Sequence, residues 1–297
     1  MADHPKQALF QRLEGLREMP SIPAILAPLL RYLELPLEQL DVQKVVDLIA
    51  QDKSLAAQCL HMANSPLFGR WQKVDSLRGA VVGLGFQRVR DIAMSCSVLN
   101  LMPTAKSSID PVAFWEHSLG CALVCRQFAR KIGFSNPGRA YLAGLLHDLG
   151  IIVNLWVLPD EFRAAFEMAQ SQRIPLHEAE MTVLGFTHAD SGRRLAERWE
   201  LTPDLINVVA WHHAPQDCPE YADLVALVSL SDLLCRMGGI NYGYVEQRQV
   251  NLREEPGFAV LQQQCPSVQT FDWARLTFEL DAYLDEVHQL VRSIYRA

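Results

Sequence analysis

The chain has 297 residues, of which 49% are hydrophobic and 21% are charged. Its 27 basic and 34 acidic side chains give a formal net charge of −7 at pH 7. This composition is typical of a globular protein with one large domain or two small ones, and the acidic balance argues against nucleic acid and membrane surfaces as partners. The start of the chain lacks the apolar core of a secretory signal, and no uncharged apolar stretch reaches spanning length, so we expect a cytoplasmic protein.

The cysteine content points to a reducing compartment. The seven cysteines are scattered and form no CxxC pair. An odd number of scattered cysteines indicates buried, reduced thiols and no disulfide framework. The nine histidines are more informative, because five of them fall between residues 117 and 213.

Apolar residues recur with helical spacing along most of the chain, for example at Ile22, Ile25, Leu29 and Leu33. Because no sustained period-2 alternation indicates a sheet, we predict an all-α fold. A polar, proline-containing stretch at 102–108 separates two apolar segments and predicts a two-lobed helical bundle. Its parts are an N-terminal helical lobe at 1–105, a second helical lobe at 106–240, and a C-terminal helical extension at 241–297 that packs on the second lobe.

The first lobe shows packing signals but no chemistry. Residues 64–69 read Asn-Ser-Pro-Leu-Phe-Gly and predict a turn. Ser76 predicts the N-terminal cap of a short helix that runs from Leu77 to Leu84 and stops at Gly85.

Helices of the second lobe begin with a capping residue followed by proline at Asp110-Pro111, Asn136-Pro137 and Thr202-Pro203. We expect the first of these helices to end at Gly133, the second just before Gly150, and the third near Ala214. A fourth helix begins at Thr187, where Asp190 gives the spacing of a capping box. Further helices are expected at 224–234 and about 272–296.

Histidines and aspartates occur at the ends or inner faces of these separate helices. The set comprises His117, His147, Asp148, His188, His212, His213 and Asp232. Imidazole nitrogens and carboxylate oxygens are ligands of divalent metals, and this number of them can hold two ions with an aspartate between them. Adjacent residues on a helix diverge by about 100°, so the pairs 147–148 and 212–213 can each reach two metal positions.

Each histidine taken alone has a simpler explanation, since a histidine on an apolar helix is more often a core residue with a backbone partner. The pair His147-Asp148 differs because it lies within an apolar run, residues 145–149. Two polar groups buried there cost roughly 1 to 3 kcal/mol each without a partner, and a metal would satisfy them. His212 and His213 end a helix, where the backbone dipole favours a cation by about 0.3 to 1 kcal/mol.

The order of these residues resembles the HD superfamily of metal-dependent phosphohydrolases, which is named after its His-Asp pair. Other motifs resemble one branch of it, the HDOD domain, a relative of the HD-GYP cyclic-di-GMP phosphodiesterases. These motifs are Pro20-Ser21-Ile22-Pro23, Asp52 with Leu55, residues 63–69, Ala80 with Leu84-Gly85, and Glu180 to Gly185 with His188. The resemblance covers about residues 15–240 and implies an all-helical, two-lobed fold used in bacterial signalling, usually without demonstrated catalysis.

Residue by residue, the resemblance places metal ligands at all seven positions of the histidine and aspartate set. In an active enzyme, Asp148 would orient a metal-bound hydroxide. Two departures from the HD-GYP pattern count against turnover. Ile151 stands where that pattern has a lysine for the substrate phosphate, and no Gly-Tyr-Pro element follows His213.

Two neighbouring features leave alternatives open. Cys121 and Cys125 share a helix face with His117, which allows a soft metal or redox site, although buried thiols are more common on such a face. Arg193 and Arg194 allow a phosphate clamp, although solvated arginines are more common. Surface or local structural roles are expected for the other histidines, His4, His61, His177 and His288.

These observations predict a bacterial regulatory HDOD module with a dinuclear divalent metal centre, in which the oxygen and nitrogen ligands favour iron or manganese. We expect it to act through contact with a signalling protein partner and to have lost catalysis, with a phosphate-containing small molecule as a candidate ligand. One alternative is a metal-dependent phosphohydrolase acting on a cyclic dinucleotide or another nucleotide. The other is a metal-free helical scaffold, which requires seven ligand-type residues to be placed for unrelated reasons.

Overall fold

The computed structural model describes residue 9 and residues 11–12, 26–33, 39, 41–68, 73–103 and 107–295. These residues form α-helices, short 3₁₀ helices and no β-strand, which confirms the predicted all-α fold. The α-helices are α1 (Leu26–Leu33), α2 (Val42–Ala50), α3 (Lys53–Ala63), α4 (Leu77–Leu84), α5 (Phe86–Leu99), α6 (Pro111–Ile132), α7 (Pro137–Leu146), α8 (Leu149–Val157), α9 (Pro159–Gln172), α10 (Leu176–Val183), α11 (His188–Arg198), α12 (Pro203–Trp211), α13 (Ala222–Met237), α14 (Pro256–Gln264) and α15 (Trp273–Tyr295). The predictions on residues 20–23, Ile25, Gly69, 104–106 and Arg296 lie outside the described residues.

The chain divides into two compact units, and one boundary lies between Met102 and Pro103. We call the unit with α1–α5 the N-terminal unit and the unit with α6–α14 the central unit. Helix α15 belongs to both, because its residues up to Asp281 are part of the central unit and those from Ala282 are part of the N-terminal unit.

The predicted C-terminal extension at 241–297 contains α15, which has an apolar face. Its second half buries Leu284, Val287 and Val291 at helical spacing. A segment with such a face packs where that face can be covered, and this half of α15 is covered within the N-terminal unit.

Local side-chain hydrogen bonds shape the N-terminal unit. Asn64 ends α3 and fixes the turn predicted after it, because its amide donates to the carbonyls of Leu60 and Val74 and its oxygen accepts from the N–H of Val74. The hydroxyl of Ser76 accepts from the N–H of Gly79 at 3.1 Å, which confirms the predicted cap of α4.

The predicted helix starts of the central unit are confirmed. Helix α6 begins at Pro111 after the Asp110 cap and ends at Gly133, which has a left-handed φ of 74°. Thr187 and Asp190 form the predicted capping box at the start of α11. Helix α6 packs on α7 and α13, α8 packs on α11, and α11 packs on α12.

The predicted helix from Pro137 to Gly150 is wrong in its end. Helix α7 stops at Leu146, His147 and Asp148 form a junction, and α8 starts at Leu149 and contains Gly150. Gly150 therefore has a role other than ending a helix. His147 keeps helical dihedral angles (φ −55°, ψ −35°), and the departure from helical geometry is at Asp148 (φ −98°, ψ 20°).

Glycine at 150 permits a main-chain contact between α8 and α11. A Cβ atom at Gly150 would lie 1.7 Å from the carbonyl oxygen of His188, and a Cβ at Gly192 would lie 2.9 Å from the nitrogen of Gly150. No side chain fits between backbones this close. The two glycines thus set the separation between the helices that carry Asp148 and His188.

Within the described residues, one helical stretch, 137–157, is apolar and long enough to cross a membrane by length and composition. It contains the helix junction, and 94% of its most apolar window is buried inside the fold. Burial of that degree is typical of a core helix.

Candidate metal centre

The structure brings all seven histidines and aspartates of the predicted set together in the central unit. His117 lies in the middle of α6, and Asp232 lies on α13. The pair 147–148 forms the α7–α8 junction, and the pair 212–213 follows α12. His188 is the first residue of α11. Five helical segments thus converge on one place.

The ligand atoms fall into two groups, and within each group all of them lie within 4.8 Å of one another. The first group comprises His117, Cys121, His147 and Asp232. The second group comprises Asp148, His188, His212 and His213. We use these two names below.

Asp148 lies between the two groups. Its Oδ2 is 3.4 Å from Nε2 of His117 and 3.0 Å from Nε2 of His147. Its Oδ1 is 3.3 Å from Nε2 of His188 and 3.5 Å from Nε2 of His212. Each carboxylate oxygen therefore faces one group, which is the arrangement of a carboxylate that bridges two cations.

Four of the histidines are held by their Nδ1 atoms. Nδ1–H donates to a main-chain carbonyl in His117 (Ile240, 2.9 Å), His147 (Gly144, 2.8 Å) and His212 (Val208 and Val209, both 3.1 Å). In His188, Nδ1 donates to Oε2 of Glu180 at 2.6 Å. These bonds fix the tautomer and leave the Nε2 lone pairs directed inward, as in metal-binding histidines.

Two buried nitrogens test whether the site fits a metal. Nε2 of His147 and Nε2 of His212 are buried and have no hydrogen-bond partner of acceptable geometry. Leaving such a group unsatisfied costs about 1 to 3 kcal/mol. A cation in each group would accept one of these lone pairs, and the imidazole and carboxylate donors suit divalent ions. The residues present therefore fit a metal.

The electrostatics of the site keep the carboxylates ionised. Burial alone would raise the pKa of Asp148, but the imidazoles of His147, His188 and His212 around it outweigh burial and hold this pKa well below its ordinary value. Burial also opposes ionisation of Asp232, and the Arg236 guanidinium with His117 lowers its pKa. Both carboxylates are thus in the state that binds cations.

The histidines differ in their protonation. Burial lowers the pKa of His212, and burial with the nearby His212 ring lowers that of His213 well below 6.5. Burial disfavours the charged form of His188 as well, but the Glu180 carboxylate and Asp148 outweigh it and raise its pKa to about 10. Burial opposes the charged form of His147 too, but Asp148 outweighs it and raises the pKa of His147. A cation that binds at Nε2 of His147 or His188 would therefore displace a proton.

Asp232 is clamped from its other side. Arg236, one turn later on α13, donates from Nε to Oδ1 at 3.0 Å and from Nη2 to Oδ2 at 2.9 Å. The same guanidinium donates from Nη1 to both carboxylate oxygens of Glu246. This bidentate pairing orients Asp232 toward His117, whose Nε2 is 3.2 Å from Oδ1.

Glu180 was not recognised as a site residue from the sequence. It is fully buried on α10, and its Oε2 accepts from both Nδ1 and the main-chain N–H of His188. Its Oε1 accepts from Asn154 on α8, and Oδ1 of Asn154 accepts from Ser191. A carboxylate at an apolar position of an amphipathic helix is the sequence signal that could have identified Glu180.

Tyr242 was also missed. Its hydroxyl donates to Oδ2 of Asp148, and its ring lies 4.6 Å from the ring of His117. The residue follows α13 in a segment without regular structure, so no periodicity marks it.

His177, for which the sequence predicts a surface or local structural role, contacts a histidine of the second group. Its ring stacks on that of His213 with centroids 4.0 Å apart. Burial and the nearby His188 lower the pKa of His177 to about 3, so the stacked ring is neutral. His61, in the N-terminal unit, is exposed and hydrogen-bonds to Ser293.

The other features that the sequence singled out lie near the site in different roles. Ile151 is fully buried. Arg193 is an exposed residue that pairs with Glu197 one turn later. Cys121 joins the first group, whereas Cys125, one turn further along α6, is outside both groups.

Comparison with known proteins agrees with this fold. A family model of the HDOD domain matches residues 19–215. An HDOD domain protein of unknown function from Geobacter sulfurreducens is 27% identical in sequence to this chain. Its crystal structure matches this fold with a TM-score of 0.84, over 99% of each chain. A Shewanella amazonensis protein with a provisional phosphohydrolase name is 22% identical with a TM-score of 0.70, covering 96% of this chain and 98% of that one. That likeness shows the fold alone.

Curated relatives are longer than this chain. An uncharacterised protein of Treponema pallidum is 26% identical over 225 residues, which are 75% of this chain and 43% of the relative. The uncharacterised protein YuxH of Bacillus subtilis is 30% identical over 112 residues, 38% of this chain and 27% of the relative. The chain thus spans less than half the length of these relatives. Because the family model covers well over half of this chain, the chain belongs to the HDOD domain family.

Proposed function

We propose that this HDOD protein is a cytoplasmic bacterial regulatory module that binds two divalent metal ions and acts by contact with a signalling protein, without turning over a substrate. The observation that carries the metal site is the position of Asp148, whose two carboxylate oxygens face the first and the second group separately. Iron or manganese suits the nitrogen and oxygen donors that both groups contain.

The chain's own residues would hold the ions by prearranged lone pairs. His117, His147, His188 and His212 present Nε2 because their Nδ1 atoms are already bonded to fixed acceptors. Divalent ions bound here would supply fixed positive charge and Lewis acidity. That charge would offset the free-energy cost of burying the Asp148 carboxylate, whose other neighbours are imidazoles.

Three features support a binding role over turnover. The side chains of His117, His147, Asp148, His188, His212 and Asp232 are at most 4% exposed, which leaves little access for an anionic substrate. Arg236, the cation nearest Asp232, is already paired with two carboxylates. Ile151 offers an apolar side chain where the HD-GYP pattern has a phosphate-binding lysine.

A regulatory ligand would have a place beside this centre. Arg236, Tyr244, Glu246 and Arg248 line a cavity of about 260 Å³ at the end of α13. Arg236 links the cavity wall to Asp232 of the first group. A phosphate-containing small molecule is the ligand class we would test there first.

The second candidate function is a metal-dependent phosphohydrolase, and its support is the complete set of seven ligands. In that case Asp148 would orient the attacking water. The first experiment is elemental analysis of the full chain purified without chelator and after anaerobic loading with iron or manganese. A content close to two ions per chain supports the metal centre. A content below about a tenth of an ion per chain would contradict it and favour the metal-free scaffold.

Turnover is then measured with the loaded protein on cyclic-di-GMP and a panel of nucleotides and phosphate esters. We expect no product above that of the His147→Ala and Asp148→Ala variants. Product formation that both variants abolish, and that His61→Ala retains, would establish the phosphohydrolase instead. His61 is a matched control because it is an exposed histidine of the N-terminal unit.

A further inference from the structure

A cysteine sulfur lies among the ligand atoms of the first group. Cys121 follows His117 by one turn of α6 and is fully buried. Its Sγ is 3.5 Å from Nε2 of His117. The ligand atoms of these two residues, His147 and Asp232 all lie within 4.8 Å of one another. The first group thus has two nitrogens, one oxygen and one sulfur, whereas the second has nitrogens and an oxygen only.

Two separations measured from Nε2 of His117 are close to those between ligands of a tetrahedral zinc ion. With zinc–sulfur bonds of about 2.3 Å and zinc–nitrogen or zinc–oxygen bonds of about 2.1 Å, tetrahedral ligands lie about 3.6 Å apart for nitrogen and sulfur and about 3.4 Å for nitrogen and oxygen. In this protein Nε2 of His117 is 3.5 Å from the sulfur of Cys121 and 3.2 Å from Oδ1 of Asp232.

The hydrogen bonds of His117 direct the same atoms toward a cation. Its Nδ1–H donates to the carbonyl of Ile240, so Nε2 carries a lone pair that accepts the S–H of Cys121 when no ion is present. When an ion binds, the thiol proton leaves to solvent, and the sulfur and nitrogen lone pairs both turn to the metal. Asp232 keeps one lone pair on each oxygen beyond its bonds to Arg236.

We propose that Cys121 is a thiolate ligand of the ion in the first group and makes that group selective for zinc over manganese, while the second group takes the harder ion. The proposal deepens the proposed function and rests on it, since it requires the metal centre to bind ions. Thiolate is a soft ligand that favours zinc, whereas manganese favours oxygen donors. The centre is therefore chemically asymmetric.

Cys125 provides the matched control. It lies on the same helix, one turn further on, and is equally buried. Its sulfur lies against the backbone of α7, where a Cβ at Gly144 would come within 2.7 Å of it. It belongs to neither ligand group.

The test loads the full chain with cobalt(II), which occupies zinc sites and gives a sulfur-to-cobalt charge-transfer band in the near ultraviolet. We expect this band in the wild type and in Cys125→Ser. In Cys121→Ser and Cys121→Ala we expect the band to be lost while cobalt still binds the second group. Competition titrations should show that Cys121→Ser lowers zinc affinity by about 10- to 100-fold and leaves manganese affinity unchanged.

Bound cobalt without the band in the wild type would overturn the thiolate ligand while leaving the metal centre intact. A band that persists in Cys121→Ser, or that disappears in Cys125→Ser, would also overturn it. Failure of the wild type to bind cobalt, zinc, iron or manganese would overturn both this inference and the proposed function. If the Cys121 variants do not fold, X-ray absorption spectroscopy at the cobalt edge of the wild type and of Cys125→Ser tests for the cobalt–sulfur bond. A sulfur neighbour of cobalt in both proteins supports the thiolate ligand, and its absence from the wild type overturns it.

Discussion

The hydroxyl of Tyr242 donates to Oδ2 of Asp148, the carboxylate oxygen that faces the first group. The ring of Tyr242 also lies against the ring of His117, so one aromatic side chain contacts both the Asp148 carboxylate and a candidate ligand histidine. The residue is buried and lies 94 positions from Asp148 in the chain. It therefore acts as a positioning residue for the centre.

Replacing Tyr242 by Phe should destabilise the metal-free protein more than the loaded protein. The variant removes one hydrogen bond to a buried carboxylate, and such a bond contributes about 1.5 to 3 kcal/mol. A bound cation compensates the same carboxylate, so the loss is smaller when the site is filled. Urea unfolding with chelator and with excess metal measures both values. Equal losses in the two conditions would show that the hydroxyl does not act on the metal centre.

The Glu180→Gln substitution should weaken metal binding without unfolding the chain. Gln keeps the shape of the side chain but loses the charge that orients and polarises His188 through Nδ1. Removing an outer partner of a ligand histidine costs about 10- to 100-fold in metal affinity. Isothermal titration calorimetry, with metal added to protein that a chelator has first freed of metal, measures this change in affinity. Glu178→Gln, an exposed change on the same helix, should leave the affinity unaltered.

Substitution of Gly150 by Ala should damage both stability and metal binding. The added methyl group would overlap the carbonyl oxygen of His188, so α8 and α11 must separate. Overpacking of this kind costs about 1 to 3 kcal/mol and at times more, and we expect a value at the upper end. Thermal unfolding and metal stoichiometry are measured together. Gly257→Ala is the control, since its nearest neighbours are 3.3 Å away, and a similar loss there would contradict the explanation.

Acid should remove the contribution of one ion pair between α7 and α12. Arg139 donates to the carboxylate of Asp204 at 2.5 Å, and this guanidinium with the Thr202 hydroxyl outweighs burial and lowers the pKa of Asp204. Because the folded pKa lies below the unfolded value of about 3.9, the stabilisation is complete above that value and is lost as the pH falls through the folded pKa.

We therefore expect Asp204→Asn to be less stable than the wild type at pH 7, with a difference that shrinks as the pH falls below about 4. Urea unfolding between pH 7 and pH 2 measures this trend. Asp160→Asn, which alters an exposed pair with Arg163, should show no difference at either end. A difference for Asp204→Asn that grows as the pH falls would contradict the assignment.

The helix starts were predictable from the sequence because capping is local. Asp110, Thr187 and Ser76 each cap a helix through atoms within three residues. The seven candidate ligands were predictable as a set, since their order matches a known family pattern. Their grouping was not, because which oxygen of Asp148 faces which histidine depends on the crossing of helices distant in sequence.

Other parts of the site lack any local signal. The helix break at 147–148 arises where two buried polar residues turn toward partners on other helices. Tyr242 approaches Asp148 from a segment without periodicity. Cys121 has the spacing of a core thiol and of a ligand at once, so only the positions of His147 and Asp232 distinguish the two.

The spread of the ligands along the chain has a consequence for the order of maturation. His117 and Asp232 are 115 positions apart, and the ligands between them lie on other helices. During synthesis, α6 leaves the ribosome long before α13, so a nascent chain that ends before α13 offers a first group without Asp232. Metal acquisition is then a late step, and truncated chains would carry an unfinished centre however well their early helices fold.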